Sequence, residues 1–171
     1  REGSKIALCA NGVFEKWKAT ASFKGTQLVF CDISTPRTDG RFDAYTDLRD
    51  KLIAKGIPAS EIAFIHDFST DAAKAALFRN VRAGVVRVLM GSTDKMGVGT
   101  NVQERLCAIW HLDVPWRPSD LEQRNGRGIR QGNTCEEVHI FYMLTRASFD
   151  AYSYQLLDAK SHFIEQIMRG D

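Results

Sequence analysis

Three arginines, Arg124, Arg127 and Arg130, recur every third residue within 120–133 (DLEQRNGRGIRQGN), interleaved with Gly126, Gly128 and Gly132. On a helix, residues three apart share a face, so such side chains point together. The glycines disfavour a long helix, and the segment is expected to end one and enter a loop. Planar guanidiniums brought together suit a polyphosphate, whose oxygens they can bridge in pairs. The plainer reading is a solvated basic face. A second segment, 91–103 (GSTDKMGVGTNVQ), places small residues and glycines after an apolar run, where backbone N–H groups can approach an anion closely. The plainer reading is a flexible connection, and a lone G-x-G would be read that way. It is not a P-loop, because G-x-x-x-x-G-K-[ST] occurs nowhere in the chain.

The elements that must position these segments follow from periodicity. Ile6, Cys9, Val13 and Trp17 recur at helical spacing. Residues 27–31 (QLVFC) form a short apolar run suited to a strand covered on both faces, and the polar, Pro- and Gly-bearing stretch 32–40 reads as a loop. Tyr45, Leu48 and Leu52 mark a second helix stopped by Gly56 and Pro58. A strand over 62–65 precedes a helix capped by Ser69, carrying Leu77 and Val81 and ending at Gly84. Strands over 85–90 and 106–112, a helix over 119–127 and a strand over 138–143 complete the alternation. Ser148 is expected to cap a closing helix, 150–171 in its long part, with Phe149, Tyr152, Leu156, Phe163 and Ile167 along one stripe. This order predicts an α/β domain with a mostly parallel central sheet and helices on both faces. Ligands then belong beyond the carboxyl ends of the strands, in loops beginning near Asp32, His66, Gly91, Asp113 and Leu144.

Composition narrows the classes. Hydrophobic residues make up 44% and charged residues 26% of 171, which suits one globular domain and argues against disorder. With 23 basic and 21 acidic residues, overall charge does not mark a nucleic-acid binder, and any basic footprint must come from clustering. Four scattered cysteines without a C-x-x-C pair exclude zinc spacing and make a reducing, cytoplasmic setting the expectation. No apolar run approaches the roughly 20 residues of a membrane helix. The opening residues Arg1-Glu2-Gly3-Ser4 lack an initiator Met and a signal-peptide pattern, as expected for a domain of a longer protein.

The segment 123–130 (QRNGRGIR) resembles helicase motif VI of superfamily two, Q-x-x-G-R-x-x-R. Residues 92–103 resemble motif V, 112–118 (LDVPWRP) the D-x-x-W-N-P stretch between them, and 28–31 (LVFC) motif IV. Four blocks in family order identify the chain as resembling the second RecA-like lobe of helicases of the DEAH and Snf types. It is also similar to the helicase part of phage- and plasmid-borne proteins that carry an adenine-specific DNA methylase. Departures are Lys95-Met96 in motif V, Arg117 for the Asn of W-N-P, and Gly126 where Snf-type proteins are acidic.

The resemblance implies a RecA-like three-layer sandwich over 1–171, acting as the second motor lobe of an ATP-dependent DNA helicase or translocase. Arg127 and Arg130 take the arginine-finger positions. Gly97, Gly99, Asn101 and Gln123 serve the nucleotide, and Ser92, Thr93 and His66 contact nucleic-acid phosphates without reading sequence. From its position alone, His66 reads first as an ordinary loop residue and second as a nucleic-acid contact. ATP, Mg²⁺, a Walker A lysine and a Walker B carboxylate pair are expected from a first lobe, because the three apolar runs ending at Asp32, Asp67 and Asp113 all lack the following Glu. The isolated chain is expected to be inactive as an ATPase and to lack any membrane role. Two rivals stay open: a catalytically silent binding or scaffold module, and an unrelated nucleotide- or sugar-binding α/β enzyme.

Overall fold

The computed structural model describes residues 2–96, 101–115, 117–126, 132–144 and Leu157, with side chains from Lys5 onward. Five strands form one sheet: β1 (Thr26–Phe30), β2 (Ile62–Phe64), β3 (Val88–Gly91), β4 (Leu106–His111) and β5 (His139–Tyr142), in the order β2-β3-β1-β4-β5. Every pairing among the described residues is parallel, in keeping with the mostly parallel sheet expected. Among the described residues the helices that accompany it are α1 (Glu2–Ala19), α2 (Ala44–Lys55), α3 (Asp71–Arg82), α4 (Thr93–Met96) and α5 (Pro118–Asn125).

Alternating strand residues feed two separate cores. Val29, Val88, Met90, Ala108 and Trp110 pack with Ile6, Cys9 and Val13 of α1 and Tyr45, Leu48 and Leu52 of α2. Leu28, Phe30, Leu89 and Ile109 pack on the other side with Leu77 and Val81 of α3 and with Met96. Burial on both faces explains why the strands read as unbroken apolar runs. The result is the three-layer α/β sandwich anticipated above.

Helix α1 meets β4 through the Trp110 side chain, whose ring lies against Gly12. A Cβ added at Gly12 would lie 2.3 Å from Cη2 of Trp110. The indole Nε1 donates to Gln27 Oε1, and Gln27 Nε2 donates to the Val13 carbonyl, so one buried amide satisfies both the helix and the tryptophan. Trp110 also stacks on Phe141, which makes it a packing residue, as its apolar surroundings suggest.

Three details depart from the periodicity. The cap of α3 is Thr70, whose hydroxyl accepts from Ala73 N–H, rather than Ser69. Strand β3 starts at Val88; Val85 is exposed, and the Arg87 guanidinium donates to the carbonyls of Gly25 and Trp17. Residues 93–96, expected in a loop, form the short helix α4. Helix α5 has Pro118 in its first turn, where the missing N–H is harmless. The predicted closing helix lies outside the described residues except for Leu157, which is helical and buried. No helix among the described residues is long and apolar enough to cross a membrane.

Candidate functional site

At the carboxyl edge of the sheet one guanidinium gathers the chemistry. Arg124, on α5, is fully buried. Its Nε donates to Thr93 Oγ1 at 2.9 Å, and Nη1 donates to the Asp113 carbonyl at 2.8 Å and faces His111 Nδ1 at 3.2 Å. Its Nη2 meets Asp113 Oδ1 at 3.0 Å and Asp32 Oδ2 at 2.7 Å. A guanidinium has five N–H donors and no acceptor, so these five acceptors use it completely. The stem carries the guanidinium 5.3 Å from the centre of the Phe30 ring. The arginine-triplet expectation is corrected here: Arg124 turns inward and holds no donor for a polyphosphate.

Two carboxylates converge on this one cation. Asp113 Oδ2 accepts from the N–H groups of Asp32 and Ile33, tying the end of β4 to the end of β1. Asp32 Oδ1 accepts from Thr93 N–H at 2.7 Å, and Oδ2 accepts from the Thr93 hydroxyl at 2.8 Å. Burial alone would raise the Asp32 pKa, but Arg124 and the two Thr93 bonds outweigh it and hold the carboxyl below its usual range. Charge pairing therefore keeps an anion at the edge of the core.

His111 extends the network. It is buried between Phe30 and Tyr142, with which its ring stacks, and its Nε2 bonds Asn125 Oδ1 at 2.7 Å. Asn125 Nδ2 donates to the Tyr142 hydroxyl. Because Nδ1 faces an Arg124 N–H, the proton belongs on Nε2. Burial, reinforced by the Arg124 charge, pushes the imidazole pKa down to about 4, so the ring is neutral at ordinary pH. The network joins β1, β4, β5, α4 and α5.

Beside it opens a cleft of about 340 Å³, lined by residues including Asp32, His66, Ser92, Thr93, Lys95 and Arg117. The structure thus brings together the three residues expected to meet nucleic acid. Their resources differ. The Ser92 hydroxyl oxygen accepts from Lys95 N–H and can still donate its own proton. Thr93 spends both its N–H and its O–H on Asp32. His66 packs edge-on against Tyr45, and its buried Nδ1 has no hydrogen-bond partner. Burial lowers its pKa, assisted by Lys95 and opposed by Asp67. Lys95 is exposed at the cleft wall. Arg117 is exposed too, with Nε and Nη2 on Asp120.

Of the residues expected at the nucleotide, Gln123 is half-buried on α5 and Asn101 is exposed, its carbonyl accepting from Arg82 Nη1. Arg127, Arg130, Gly97 and Gly99 lie outside the described residues. Among the described residues no three His, Cys, Asp or Glu side chains cluster as metal ligands. Sequence reasoning missed the parts played by Asp32, Asp113 and His111. Their signal was available: each stands at a strand end, where ligands and their supporting groups collect.

Comparison with known proteins agrees with this geometry. Residues 15–132 match the family model described as the helicase conserved C-terminal domain. The chain is 39% identical over 77 residues to defense against restriction protein B of Escherichia phage P1, and 36% identical over 86 residues to the uncharacterized ATP-dependent helicase YqhH of Bacillus subtilis (strain 168). These alignments cover 45% and 50% of this chain but 3% and 15% of those proteins, so the chain corresponds to a small part of each. Among solved structures it is similar to the C-terminal part of the Fun30 ATPase domain, with a TM-score of 0.64 and 18% identity over 86% of this chain and 44% of that one. The DUF1998 helicase MrfA bound to DNA superposes with a TM-score of 0.60 and 16% identity, covering 91% of this chain and 20% of its own. At those identities the likeness is one of fold.

Proposed function

From its membership of the helicase conserved C-terminal domain family, which more than half of the chain matches, we propose that this lobe works as the second half of an ATP-driven DNA motor. The observation that carries the proposal is the convergence of α4, α5 and their cleft at one sheet edge, locked by the Arg124 network. A first RecA-like lobe of the same parent protein supplies the lysine and carboxylates for Mg²⁺–ATP. This lobe closes on the nucleotide from the other side, with Gly97 and Gly99 easing the closure and Asn101 and Gln123 near the phosphates. In the cleft, the Ser92 hydroxyl, the Lys95 ammonium and the His66 ring offer hydrogen bonds to a strand's phosphate oxygens. Such contacts hold backbone and read no sequence. Thr93 acts from behind them, since its donors are engaged. The likeness to helicase–methylase proteins extends the proposal to a DNA methylase module in a cytoplasmic parent.

Arg127 follows Gly126 directly and Arg130 comes three residues later, and the proposal puts both guanidiniums on the γ-phosphate oxygens, where charge develops during in-line attack by water. In the full natural chain, Arg127→Ala and Arg130→Ala should each lower kcat by about 10³-fold or more while changing ATP affinity modestly. Lysine should rescue poorly, because it keeps the charge but loses the planar fork. Folded Ala variants with wild-type turnover would remove the finger assignment and favour the silent-module alternative.

A further inference from the structure

Thr93 stands in the cleft wall, yet its chemistry faces inward. Its two donors, N–H and O–H, both end on Asp32, and its hydroxyl oxygen accepts from Arg124 Nε. A phosphate oxygen, which can only accept, gains no bond from Thr93 unless this clasp opens. Asp32 is the mirror case. About a third of its side chain is exposed and it lines the cleft, but it is an anion beside the place where an anion should bind. The Nη2 of Arg124, 2.7 Å away, offsets that charge. Thus Arg124 does two things at once: it makes the cleft tolerant of phosphate, and it fastens α5 to the first residue of α4.

We propose that Asp32 and Thr93 are positioning residues that couple occupancy of the cleft to α5 through Arg124. The inference rests on the motor reading above. A phosphate drawn to Ser92 and Lys95 engages α4 within three residues of the clasp, since Ser92 Oγ bonds the Lys95 N–H and the Ser92 carbonyl accepts from Met96 N–H. Any shift of α4 changes the geometry of the Asp32 carboxylate and hence of Arg124. Arg124 has no slack to absorb it, because all five of its donors are used and it is fully buried. Close-packed interiors respond to such shifts by moving whole elements, and the element here is α5, which leads into Arg127 and Arg130.

The test is DNA-stimulated ATP turnover by the full natural chain, with single-stranded oligonucleotide as the probe. Thr93→Val keeps shape but removes the hydroxyl; Thr93→Ser keeps the hydroxyl. Thr93→Val should lower maximal stimulation about tenfold while the DNA concentration for half-maximal stimulation changes by less than about threefold. Thr93→Ser should stay within about twofold of wild type on both. A direct-contact role predicts the reverse split, with apparent DNA affinity lost and maximal stimulation kept, and would overturn the proposal; so would wild-type behaviour of the Val variant. Should Thr93→Val melt too low to assay, Asp32→Asn carries the same expected split and the same overturning result. Wild-type protein without any DNA-stimulated turnover would sink the motor reading and this inference together, whereas stimulation that is normal in both variants sinks the inference alone.

Discussion

Replacing Arg124 with Met tests the central network most directly. Methionine keeps an unbranched stem over Phe30 but removes all five donors. Asp113, almost wholly buried, would keep its two backbone donors on Oδ2 and lose the cation on Oδ1. The Asp113 carbonyl, His111 Nδ1 and Thr93 Oγ1 would each lose a partner as well. Removing one member of a buried ion pair destabilises by about 3–5 kcal/mol, because the remaining charge stays in the core. Asp32 adds little, since water reaches a third of it. Against a total stability of about 5–15 kcal/mol, such a loss lowers the melting temperature by about 6–20 °C for a domain of this size.

The pH dependence supplies the sign. In the folded wild type the Asp32 pKa is lowered, so its contribution is present above the unfolded value of 3.8 and is lost as pH falls through the folded one. His111 works in the same direction: its folded pKa of about 4 lies below the unfolded 6.5, so acid favours the unfolded chain. Part of that His111 depression comes from the Arg124 charge and disappears in the variant. The Asp32 carboxylate, which Arg124 holds in its charged form in the wild type, loses that support in the variant and protonates more readily in acid. The gap between wild type and Arg124→Met in urea unfolding should therefore be widest near pH 7 and shrink toward about pH 4. A gap under about 1 kcal/mol, or one independent of pH, refutes the reasoning.

Two further substitutions probe the frame around the site. Gly12→Ala should destabilise by about 1–3 kcal/mol, the range for overpacking, because the new Cβ meets the Trp110 ring at 2.3 Å; thermal melts followed by tryptophan fluorescence would show the loss and a changed indole environment. Asp43→Ala should destabilise by about 1–2 kcal/mol, since its buried carboxylate accepts from Thr46 N–H, Thr46 Oγ1 and Arg37 N–H at the start of α2; unchanged stability in urea would show that the cap contributes nothing.

Much of this protein is legible in its residues because the relevant physics is local. The β-branched and aromatic runs 27–31 and 106–112 announce strands covered on both faces, and the spacing of Tyr45, Leu48 and Leu52 announces the buried stripe of α2. The motif order identifies the family, since spacing along the chain is itself what a motif records. The tertiary structure decided the direction of each side chain at the carboxyl edge. Arg124 shares a spacing with Arg127 and Arg130, and periodicity treats the three alike. Only the approach of Asp32 from β1, Asp113 from β4 and Thr93 from α4 makes Arg124 an internal cation. Those partners stand between 11 and 92 positions away along the chain, beyond the reach of any helical or strand period. Likewise, Thr93 reads in the sequence as a small hydroxyl in a glycine-bearing loop, open to a phosphate. The Asp32 carboxylate, brought beside it by the parallel pairing of β1 and β3, claims its donors first.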